Sequence, residues 1–323
     1  MLDFCIIGSG ISGSKIAELL SKRYSIAVYD KARGAGGRSS NKKFKKNLSF
    51  DHGLQYFSIK NNIFKKDLKK LINKKILKVW DGNHLDFTFN KNTNSMKVIG
   101  KKGNNDLIKY NLKGIKQNFN STVTNIKKEQ NFWKISLNGN TQIQSKNLIL
   151  TCPYPQVKIL AKRYLSEKMI NLNVIMQPNI TVMLVFKNQE NHLISSMRFN
   201  DEMLAWASNE NSKKRFKSKL NLWTLQSSLK WSKKNINKYK KDKKIINQLI
   251  LRFLDLTGFK KNKIIFKKAH GWKYSYSFKS SNLDSYWDKK FKIGICGDWF
   301  QGPKAENAWA SAISLFKKIN KKT

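Results

Sequence analysis

The feature that most constrains the fold of this chain is a glycine-rich turn directly after its first apolar run. Residues Phe4–Ile7 are followed by the sequence GSGISG at 8–13, and then by apolar residues at helical spacing. In a strand–turn–helix unit of this kind, the first glycine permits the tight turn and the second lets phosphates approach the backbone. The third glycine lets the helix pack closely on the strand, and the helix N-terminus binds the pyrophosphate. The pattern therefore predicts a dinucleotide-binding unit at the start of the chain.

A second apolar run and a second glycine pair follow this turn. Ile26–Tyr29 is predicted to be a strand that places Asp30 at its carboxyl end, where a carboxylate accepts hydrogen bonds from ribose hydroxyls. Up to this point the unit fits NAD or FAD. Gly36 and Gly37 would bring further backbone N–H groups to a diphosphate, and Arg38 would bind its oxygens with a planar charged fork. An extended flavin dinucleotide uses both phosphate contacts and a nicotinamide dinucleotide rarely needs the second, so we expect FAD.

The charge of the chain is large but does not by itself indicate a partner. A formal net charge of +44 over 323 residues would ordinarily suggest a nucleic acid or an anionic membrane surface. The lysines are scattered along the whole chain, however, while arginine is scarce and asparagine abundant, which is typical of compositional drift at solvated positions. Lysines and asparagines also interrupt every apolar run before it reaches the length of a membrane span. We therefore expect no specific nucleic-acid partner and no membrane partner.

The cysteines and the first residues indicate a compartment. Cys5, Cys152 and Cys296 lie far apart in short apolar runs with no CxxC spacing, which predicts reduced, buried thiols and no metal site. The apolar start at Leu2 lacks a basic segment before it and runs straight into the glycine turn, unlike a signal peptide. We expect a cytoplasmic protein.

The end of the chain is predicted to complete the sheet that begins near residue 4. The apolar run Ile293–Cys296 is followed by a Gly-Asp turn and by a helix with an apolar face from Ala305 to Phe316. The predicted fold class is α/β, a Rossmann-type FAD-binding domain with an inserted mixed α+β substrate domain. The FAD-binding domain is expected to be discontinuous, over residues 1–72, 103–160 and 290–323, with the substrate domain over 73–102 and 161–289.

Other elements between the two ends follow from apolar spacing and proline positions. We predict a surface helix over Phe64–Ile76, a helix near Asp106–Leu112, a hairpin over Val123–Leu137 and a buried strand at Asn147–Cys152. Further predicted elements are strands near 79–89, 96–99 and 180–186 and a helix at about 240–256. The tryptophan-rich segment between the strand near 180–186 and the helix at about 240–256 receives no regular assignment.

Three segments of the chain resemble the renalase branch of the flavin-dependent amine oxidase superfamily. They are YDKARGAGGR at 29–38, DHGLQYF at 51–57, and the stretch from GDW at 297 to ENAW at 306–309. The sequences LAW at 204–206, WTL at 223–225 and AHGWKY at 269–274 resemble that branch's substrate domain more weakly. The resemblance spans essentially the whole chain, and it is loose between about 60 and 200.

The resemblance implies an FAD-dependent oxidase that acts on aberrant dihydro isomers of NAD(P)H. Its small-molecule substrate would carry a dihydronicotinamide, and hydride would pass to the flavin and then to oxygen, which gives NAD(P)+ and hydrogen peroxide. Because the ring nitrogen lone pair drives hydride loss, this chemistry needs no general base, and no catalytic residue is assigned. Cys296 precedes the Gly-Asp turn, too early for a flavin-linking cysteine, so FAD is expected to be non-covalent.

Site residues are expected in both domains. Gln55 and Tyr56 would lie beside the flavin ring, and the N-terminus of the last helix would stabilise negative charge at flavin N1 and the C2 carbonyl, with Trp309 against the ring edge. The residues expected to bind the cofactor are Gly8, Gly10, Ile11, Ser12, Gly13, Asp30, Lys31, Arg33, Gly36, Gly37, Arg38, Gln55, Tyr56, Val123, Gly297, Asp298, Glu306, Ala308 and Trp309. The candidates for the substrate pocket, whose rings would flank a flat nicotinamide, are Trp206, Gln226, His270, Trp272 and Tyr274. His52 receives no role.

Two other functions remain open from the sequence. One is an amine oxidase or a desaturase-type flavoenzyme of the same superfamily, which would need an amine-binding aromatic pair or a long apolar tunnel. The other is a basic nucleic-acid-binding protein that has the fold but no flavin.

Overall fold

The computed structural model of the protein describes residues 1–45, 47–88, 91–92, 96–187, 193–278 and 281–321. Its strands are β1 (Leu2–Ile7), β2 (Ile26–Tyr29), β3 (Asn41–Lys43), β4 (Ser49–Asp51), β5 (Leu77–Val79), β6 (Asn83–Asp86), β7 (Lys91–Asn92), β8 (Val98–Gly100), β9 (Lys116–Asn118), β10 (Val123–Lys128), β11 (Trp133–Leu137), β12 (Thr141–Leu150), β13 (Met176–Lys187), β14 (Ile194–Arg198), β15 (Leu204–Asn209), β16 (Leu220–Ser227), β17 (Ile264–Ser277), β18 (Tyr286–Asp288) and β19 (Ile293–Ile295). Its helices are α1 (Ile11–Leu20), α2 (Asn62–Asn73), α3 (Asp106–Asn111), α4 (Tyr154–Ala161), α5 (Glu167–Ile170), α6 (Leu229–Asn235), α7 (Lys243–Thr257) and α8 (Ala305–Asn320).

An eight-stranded sheet joins the two ends of the chain, as the sequence predicted. Its strand order is β10-β11-β12-β1-β2-β9, and β19 pairs with both β12 and β18. Strand β1 lies parallel to β2 and to β12, and β12 lies parallel to β19. The carboxyl ends of these four strands therefore meet at one edge of the sheet, the edge at which open α/β sheets bind ligands.

Two layers of helices cover this sheet. Helices α1, α2, α3 and α8 bury one apolar face, in a core that includes Ile16, Leu68 and Leu315. Helix α4 and the aromatic residues Trp133 and Trp299 belong to the core on the other face. The predicted surface helix is α2, which ends at Asn73, three residues before the expected boundary.

A seven-stranded sheet forms the second part of the molecule. Its strand order is β17-β13-β16-β15-β14-β6-β7, and α6 and α7 cover one of its faces. The tryptophan-rich segment without a sequence assignment forms β15 and β16. Strand β16 pairs on both sides, with β13 and β15, and therefore lies inside the sheet.

The domain boundaries remain a prediction. The strands of the two sheets nevertheless show which segments of the chain belong to each sheet. Strands β6 and β7 and the strands from β13 to β17 belong to the seven-stranded sheet. Strand β18 belongs to the eight-stranded sheet, although it begins at Tyr286, before the predicted boundary at 290. In the part of the chain that the structure describes, no helix has the length and apolar character needed to cross a membrane. The same residues contain no cluster of three or more metal-ligating acidic, histidine or cysteine side chains.

Candidate functional site

The glycine turn after β1 has the backbone geometry that a dinucleotide cradle requires. Gly8 has a φ of +107°, in the region that favours glycine. A Cβ added to Gly13 would lie 1.9 Å from the carbonyl oxygen of Gly8, so only glycine lets α1 pack on this turn. A Cβ added to Gly10 would meet nothing within 4 Å. Gly10 therefore borders open space at the start of α1, where phosphates approach a helix N-terminus.

The second glycine pair packs directly on the first glycine turn. Gly36 N donates to Ser9 O at 3.0 Å, and its φ is +147°. Gly37 has a φ of +51°, and a Cβ added there would lie 3.1 Å from Gly10 Cα. The two motifs, which are more than twenty residues apart in sequence, border one cradle, so the space beside Gly10 is flanked by both.

Asp30 lies at the carboxyl end of β2, as predicted, and its carboxylate binds the glycine turn. Its Oδ2 accepts from Ser9 N at 2.7 Å and from Ser9 Oγ at 2.6 Å, and its Oδ1 accepts from Ala32 N at 2.8 Å. This carboxylate therefore holds the turn in place, a role that the sequence did not indicate. The neighbouring Lys31 and Arg33 are exposed.

Arg38 forms a bidentate ion pair with Asp298. The distances are 2.8 Å from Nη1 to Oδ2 and 2.5 Å from Nη2 to Oδ1, and Nη1 also donates to Ser275 O at 2.9 Å. Asp298 follows Gly297 in the turn after β19, and Gly297 N donates to Ser311 Oγ at 3.0 Å. The structure thus joins two residues that the sequence assigned independently to the cofactor, and it links both to β17 of the second sheet.

The N-termini of α1 and α8 lie together at the same edge. Ser12 Oγ in the first turn of α1 donates to Ala308 O in the first turn of α8 at 2.9 Å. Glu306 accepts from Lys60 N at 2.9 Å and from Asn61 N at 2.8 Å, so its carboxylate binds the start of α2. The side chain of the helix-capping residue Lys304 makes no cap hydrogen bond.

Three further residues expected at the cofactor have structural contacts of their own. Trp309 is 2% exposed and donates from Nε1 to Asp67 Oδ2 at 2.9 Å, with Phe64 beside it. Ile11 packs against the same core. Val123 pairs with Leu137 in the predicted hairpin and comes two residues after Ser121, whose N–H donates to Asp30 O at 2.9 Å. Their contact with a cofactor stays a prediction.

A row of polar and aromatic residues crosses six strands of the second sheet. The pairing register places in this row His270, Thr181, Gln226, Trp206, Arg198 and Asp86, from β17 to β6. The adjacent row includes Val182, Leu225 and Met197, which are buried under α6 and α7. Because successive side chains of a strand point to opposite faces, the polar row faces away from those helices. Three of the predicted substrate residues therefore share one face.

The segment His52–Phe57 lies across this polar face and connects it to the cradle. Trp272 Nε1 donates to His52 O at 2.9 Å, and Gln226 Nε2 donates to Gly53 O at 2.7 Å. Further along, the ring of Tyr56 lies 5.8 Å from that of Trp206. A Cβ added to Gly53 would lie 2.0 Å from the carbonyl oxygen of Arg38, so the segment also contacts the second glycine motif. Tyr274 follows Trp272 on β17 and is partly buried.

Two histidines and a tryptophan pack together at the β17 end of the row. The ring of His52 lies 5.2 Å from that of Trp272 and 5.0 Å from that of His270. Burial, together with the neighbouring His270, lowers the pKa of His52 to about 4. Burial and the charge of Lys240 also lower the pKa of His270. Both rings are therefore neutral at pH 7. Nδ1 of His52 is buried without a hydrogen-bond partner among the described residues.

A buried cluster of four charged residues lies beneath the segment His52–Phe57. Lys213 Nζ lies 3.0 Å from Asp51 Oδ2 and 3.0 Å from Glu210 Oε2, and Arg215 also pairs with Asp51. Burial alone would raise the pKa of Asp51, but Arg215 and Lys213 outweigh it and hold that pKa below its usual value. Burial raises the pKa of Glu210. Lys213 also donates to Gln55 Oε1 at 3.2 Å, so Gln55 points into this cluster.

The charged residues of the second sheet and of this cluster were not predicted as functional from the sequence. Lys97, Arg198 and Asp86 come together only through the pairing of β6 with β14 and the position of β8. Lys213 and Asp51 are more than 150 residues apart in sequence. One local feature could have drawn attention to Arg198 and Arg215: arginine is scarce in this lysine-rich chain.

Comparisons with known proteins agree with this architecture. A family model described as an NAD(P)-binding Rossmann-like domain matches residues 6–71. A candidate protoporphyrinogen oxidase from Exiguobacterium sp. 255-15 is similar with a TM-score of 0.75 and 11% identity, over 98% of each chain. Wild-type putrescine oxidase bound to putrescine is similar with a TM-score of 0.69 and 10% identity, also over 98% of each chain. A triple mutant of putrescine oxidase has a TM-score of 0.71 and 10% identity.

At these identities the likeness concerns the fold. The chain is a mixed α/β protein that contains a Rossmann-like dinucleotide-binding domain, which confirms the predicted fold class. Its fold is similar, over 98% of its length, to the folds of the protoporphyrinogen oxidase and putrescine oxidase structures.

Proposed function

We propose that this protein is an FAD-dependent oxidase that oxidises dihydro isomers of NAD(P)H. The observation that carries the proposal is the continuous path of contacts from the dinucleotide cradle to the polar row. Gly37 touches Gly10, Arg38 contacts Gly53, and Gly53 accepts a hydrogen bond from Gln226. A dinucleotide bound at Gly10 would thus extend toward a sheet face with partly buried aromatic and amide groups.

The donor set of the cradle fits FAD. Open space beside Gly10 and two adjoining glycine motifs suit a diphosphate, because backbone N–H groups are exposed to it without a Cβ in the way. The ion pair of Arg38 with Asp298 leaves part of the guanidinium donor set for a second contact. The adjacent N-terminus of α8 provides the positive end of a helix dipole. We infer from these three features that the flavin is FAD. Because Cys296 precedes the Gly-Asp turn, we also infer that the flavin is held without a covalent bond.

The chemistry requires little from the protein beyond binding and orientation. When bound, FAD would accept a hydride from the dihydronicotinamide and deliver it, with one proton from solvent, to oxygen, which gives hydrogen peroxide and the aromatic nicotinamide cation. Trp206 and Tyr56, whose rings are 5.8 Å apart, would contact the flat ring from one side, and Gln226 would donate to or accept from its carboxamide. The neutral histidines at the other end of the row take no proton in this proposal.

The charges near the row support an anionic substrate over an amine. Arg198 lies in the row itself, and Lys97 lies close enough to interact with Arg198 and Asp86. An alkylammonium substrate would be repelled by both cations, whereas a phosphorylated substrate would be attracted. The likeness to putrescine oxidase nevertheless makes amine oxidation the second candidate function.

Anaerobic mixing distinguishes these two functions. FAD-loaded protein is mixed with 2-dihydro and 6-dihydro isomers of NAD(P), with ordinary NAD(P)H and with putrescine, and the flavin absorption band is followed. We expect rapid bleaching by at least one of the two isomers and slow or no bleaching by putrescine. Bleaching by putrescine alone would replace the proposal with amine oxidation.

A further inference from the structure

We propose that Lys97 and Arg198 form a subsite for the phosphate group of a mononucleotide-type substrate. The subsite lies at the β14–β6 end of the polar row, and it rests on the proposed function, since it assumes that the row binds the substrate. No part of the sequence motifs marks this end of the sheet, and both cations reach it only through the fold.

The two cations lie against a pair of aromatic rings. Lys97 Nζ is 5.5 Å from the centroid of the Tyr56 ring, and the guanidinium of Arg198 is 5.5 Å from the centroid of the Trp206 ring. The two rings are themselves 5.8 Å apart. Trp80 N donates to Lys97 O at 2.7 Å, which fixes the backbone from which the lysine extends. Flat rings and cations thus adjoin in one place, as recognition of a nucleotide requires.

The electrostatics of this end of the row favour an anion. Lys97 is 2% exposed, and burial and the nearby charge of Arg198 lower its pKa, although the carboxylate of Asp86 acts in the opposite direction. Asp86 Oδ2 lies 3.4 Å from Arg198 Nε, so the carboxylate contacts the Nε side of the guanidinium. The Arg198 side chain is 48% exposed, and its end is therefore accessible to a ligand. His84 faces the same group and is neutral, because burial and Lys97 lower its pKa to about 4.

A further donor lies on the same row. Trp206 Nε1 is buried without a hydrogen-bond partner among the described residues. An indole N–H is a donor only, and a buried donor without an acceptor is costly, so an oxyanion oxygen would satisfy it.

The spacing of the row suits a mononucleotide. Gln226 and Arg198 are separated by two strand spacings, since Trp206 on β15 lies between them. Two spacings correspond to about 10 Å. This length is comparable to that of a nucleoside monophosphate, with the nicotinamide near Gln226 and the phosphate at Arg198.

The test compares two ligands that differ by the phosphate. Binding of nicotinamide mononucleotide and of nicotinamide riboside to the FAD-loaded protein is measured by calorimetry. Because hydrogen bonds to charged groups contribute about 1.5–3 kcal/mol, the mononucleotide should bind about tenfold tighter or more. Arg198→Gln should reduce this ratio to near one, and Lys97→Met should reduce it as well. The matched control is Arg252→Gln. Arg252 lies on α7 and its Nε donates to Asp201 at 2.8 Å, so this variant should keep the parent's ratio of affinities for the two ligands.

The outcomes separate this subsite from the proposed function. Equal affinity for the two ligands in the parent, or an unchanged ratio in Arg198→Gln, would overturn the subsite. Because Arg198 is half exposed, its variant keeps the fold, so the test does not depend on the buried Lys97. Flavin bleaching by the dihydro isomers is recorded on the same parent protein. Flavin bleaching by a dihydro isomer together with equal affinities for the mononucleotide and the riboside would contradict the subsite alone. Tighter binding of the mononucleotide without flavin bleaching would contradict the proposed function alone.

Discussion

Two glycines of the first motif differ in what a methyl group would contact, and the difference gives a test at the scale of single residues. Gly13 has no room for a side chain, whereas a Cβ at Gly10 would enter open space and its φ of −83° suits any residue. Gly10→Ala should therefore keep the free energy of unfolding or raise it by about 0.5 kcal/mol. It should also weaken FAD binding about tenfold or more, because the methyl group displaces a phosphate from backbone donors.

The matched control for this variant is Gly34→Ala. A Cβ at Gly34 also meets nothing within 4 Å, and this glycine is not assigned to the cradle. Titration of FAD into apoprotein, with thermal unfolding of each variant, measures both effects. Equal FAD affinity in the Gly10→Ala and Gly34→Ala proteins would show that no phosphate lies at Gly10.

Buried histidines should make the protein sensitive to acid. His52 and His84 both have a pKa of about 4 in the folded protein, below their usual value, mainly because they are buried. Between their folded and unfolded pKa values, the unfolded chain binds more protons than the folded one. The free energy of unfolding should therefore fall as the pH decreases from about 6.5 towards 4, by on the order of 1 kcal/mol per histidine per pH unit.

Urea unfolding at pH 7.5 and pH 5 measures this loss. His84→Asn should lose less stability between the two pH values than the parent, because the group that takes up a proton on unfolding is gone. An equal loss in the parent and in the variant would contradict the assignment of His84 as a group with a lowered pKa.

At the scale of elements, local patterns predicted the cradle and could not predict the polar row. Strand β2 has the predicted bounds, and the helix after the glycine turn lies where apolar spacing placed it, because glycine geometry and helical periodicity act within a few residues. Gln226 and Trp206 were candidates, but their adjacency depends on the register between β15 and β16. Register is a property of pairing between distant segments, and the sequence showed no period for this part of the chain.

Local sequence patterns were equally unable to predict the contacts of one side chain near the start of α8. The sequence placed Trp309 beside the flavin, and the structure gives it contacts with Phe64, Asp67 and Lys15 in the core between α1, α2 and α8. Trp309→Ala should therefore lower the free energy of unfolding by about 3–5 kcal/mol, because it opens a cavity and removes the hydrogen bond to Asp67.

Trp309→Phe separates packing from contact with the cofactor. The ring fills most of the space, so thermal unfolding should recover most of the stability that alanine loses. If Trp309 also touches the flavin, stopped-flow reduction of the phenylalanine variant should be slower than in the parent. A stable alanine variant would contradict the core assignment of this residue.

At the scale of the whole molecule, the buried charge cluster joins the parts of the chain that carry the cradle and the row. Asp51 belongs to β4, shortly after the second glycine motif, and Lys213 lies between β15 and β16. Lys213→Met removes one cation and leaves Asp51 and Glu210 undercompensated, and it should cost about 3–5 kcal/mol of unfolding free energy. FAD affinity should fall with it, because Gln55 loses its contact with Lys213.

The control replaces a lysine in an exposed ion pair. Lys230 pairs with Glu202 at 2.9 Å at the surface, and Lys230→Met should leave stability unchanged within error. Equal unfolding midpoints for Lys213→Met and Lys230→Met would show that the buried cluster does not hold the two parts together.

Titration of the apoprotein with FAD and with NAD tests the central claim most directly. The glycine turn after β1, the adjoining Gly36-Gly37 pair and the Arg38–Asp298 pair should bind FAD strongly and NAD weakly, and denaturant should release intact FAD from the yellow complex. Quenching of FAD fluorescence gives the affinity, and filtration after denaturation shows whether the flavin is covalently attached. A folded protein that binds no FAD, or that prefers NAD, would contradict the account.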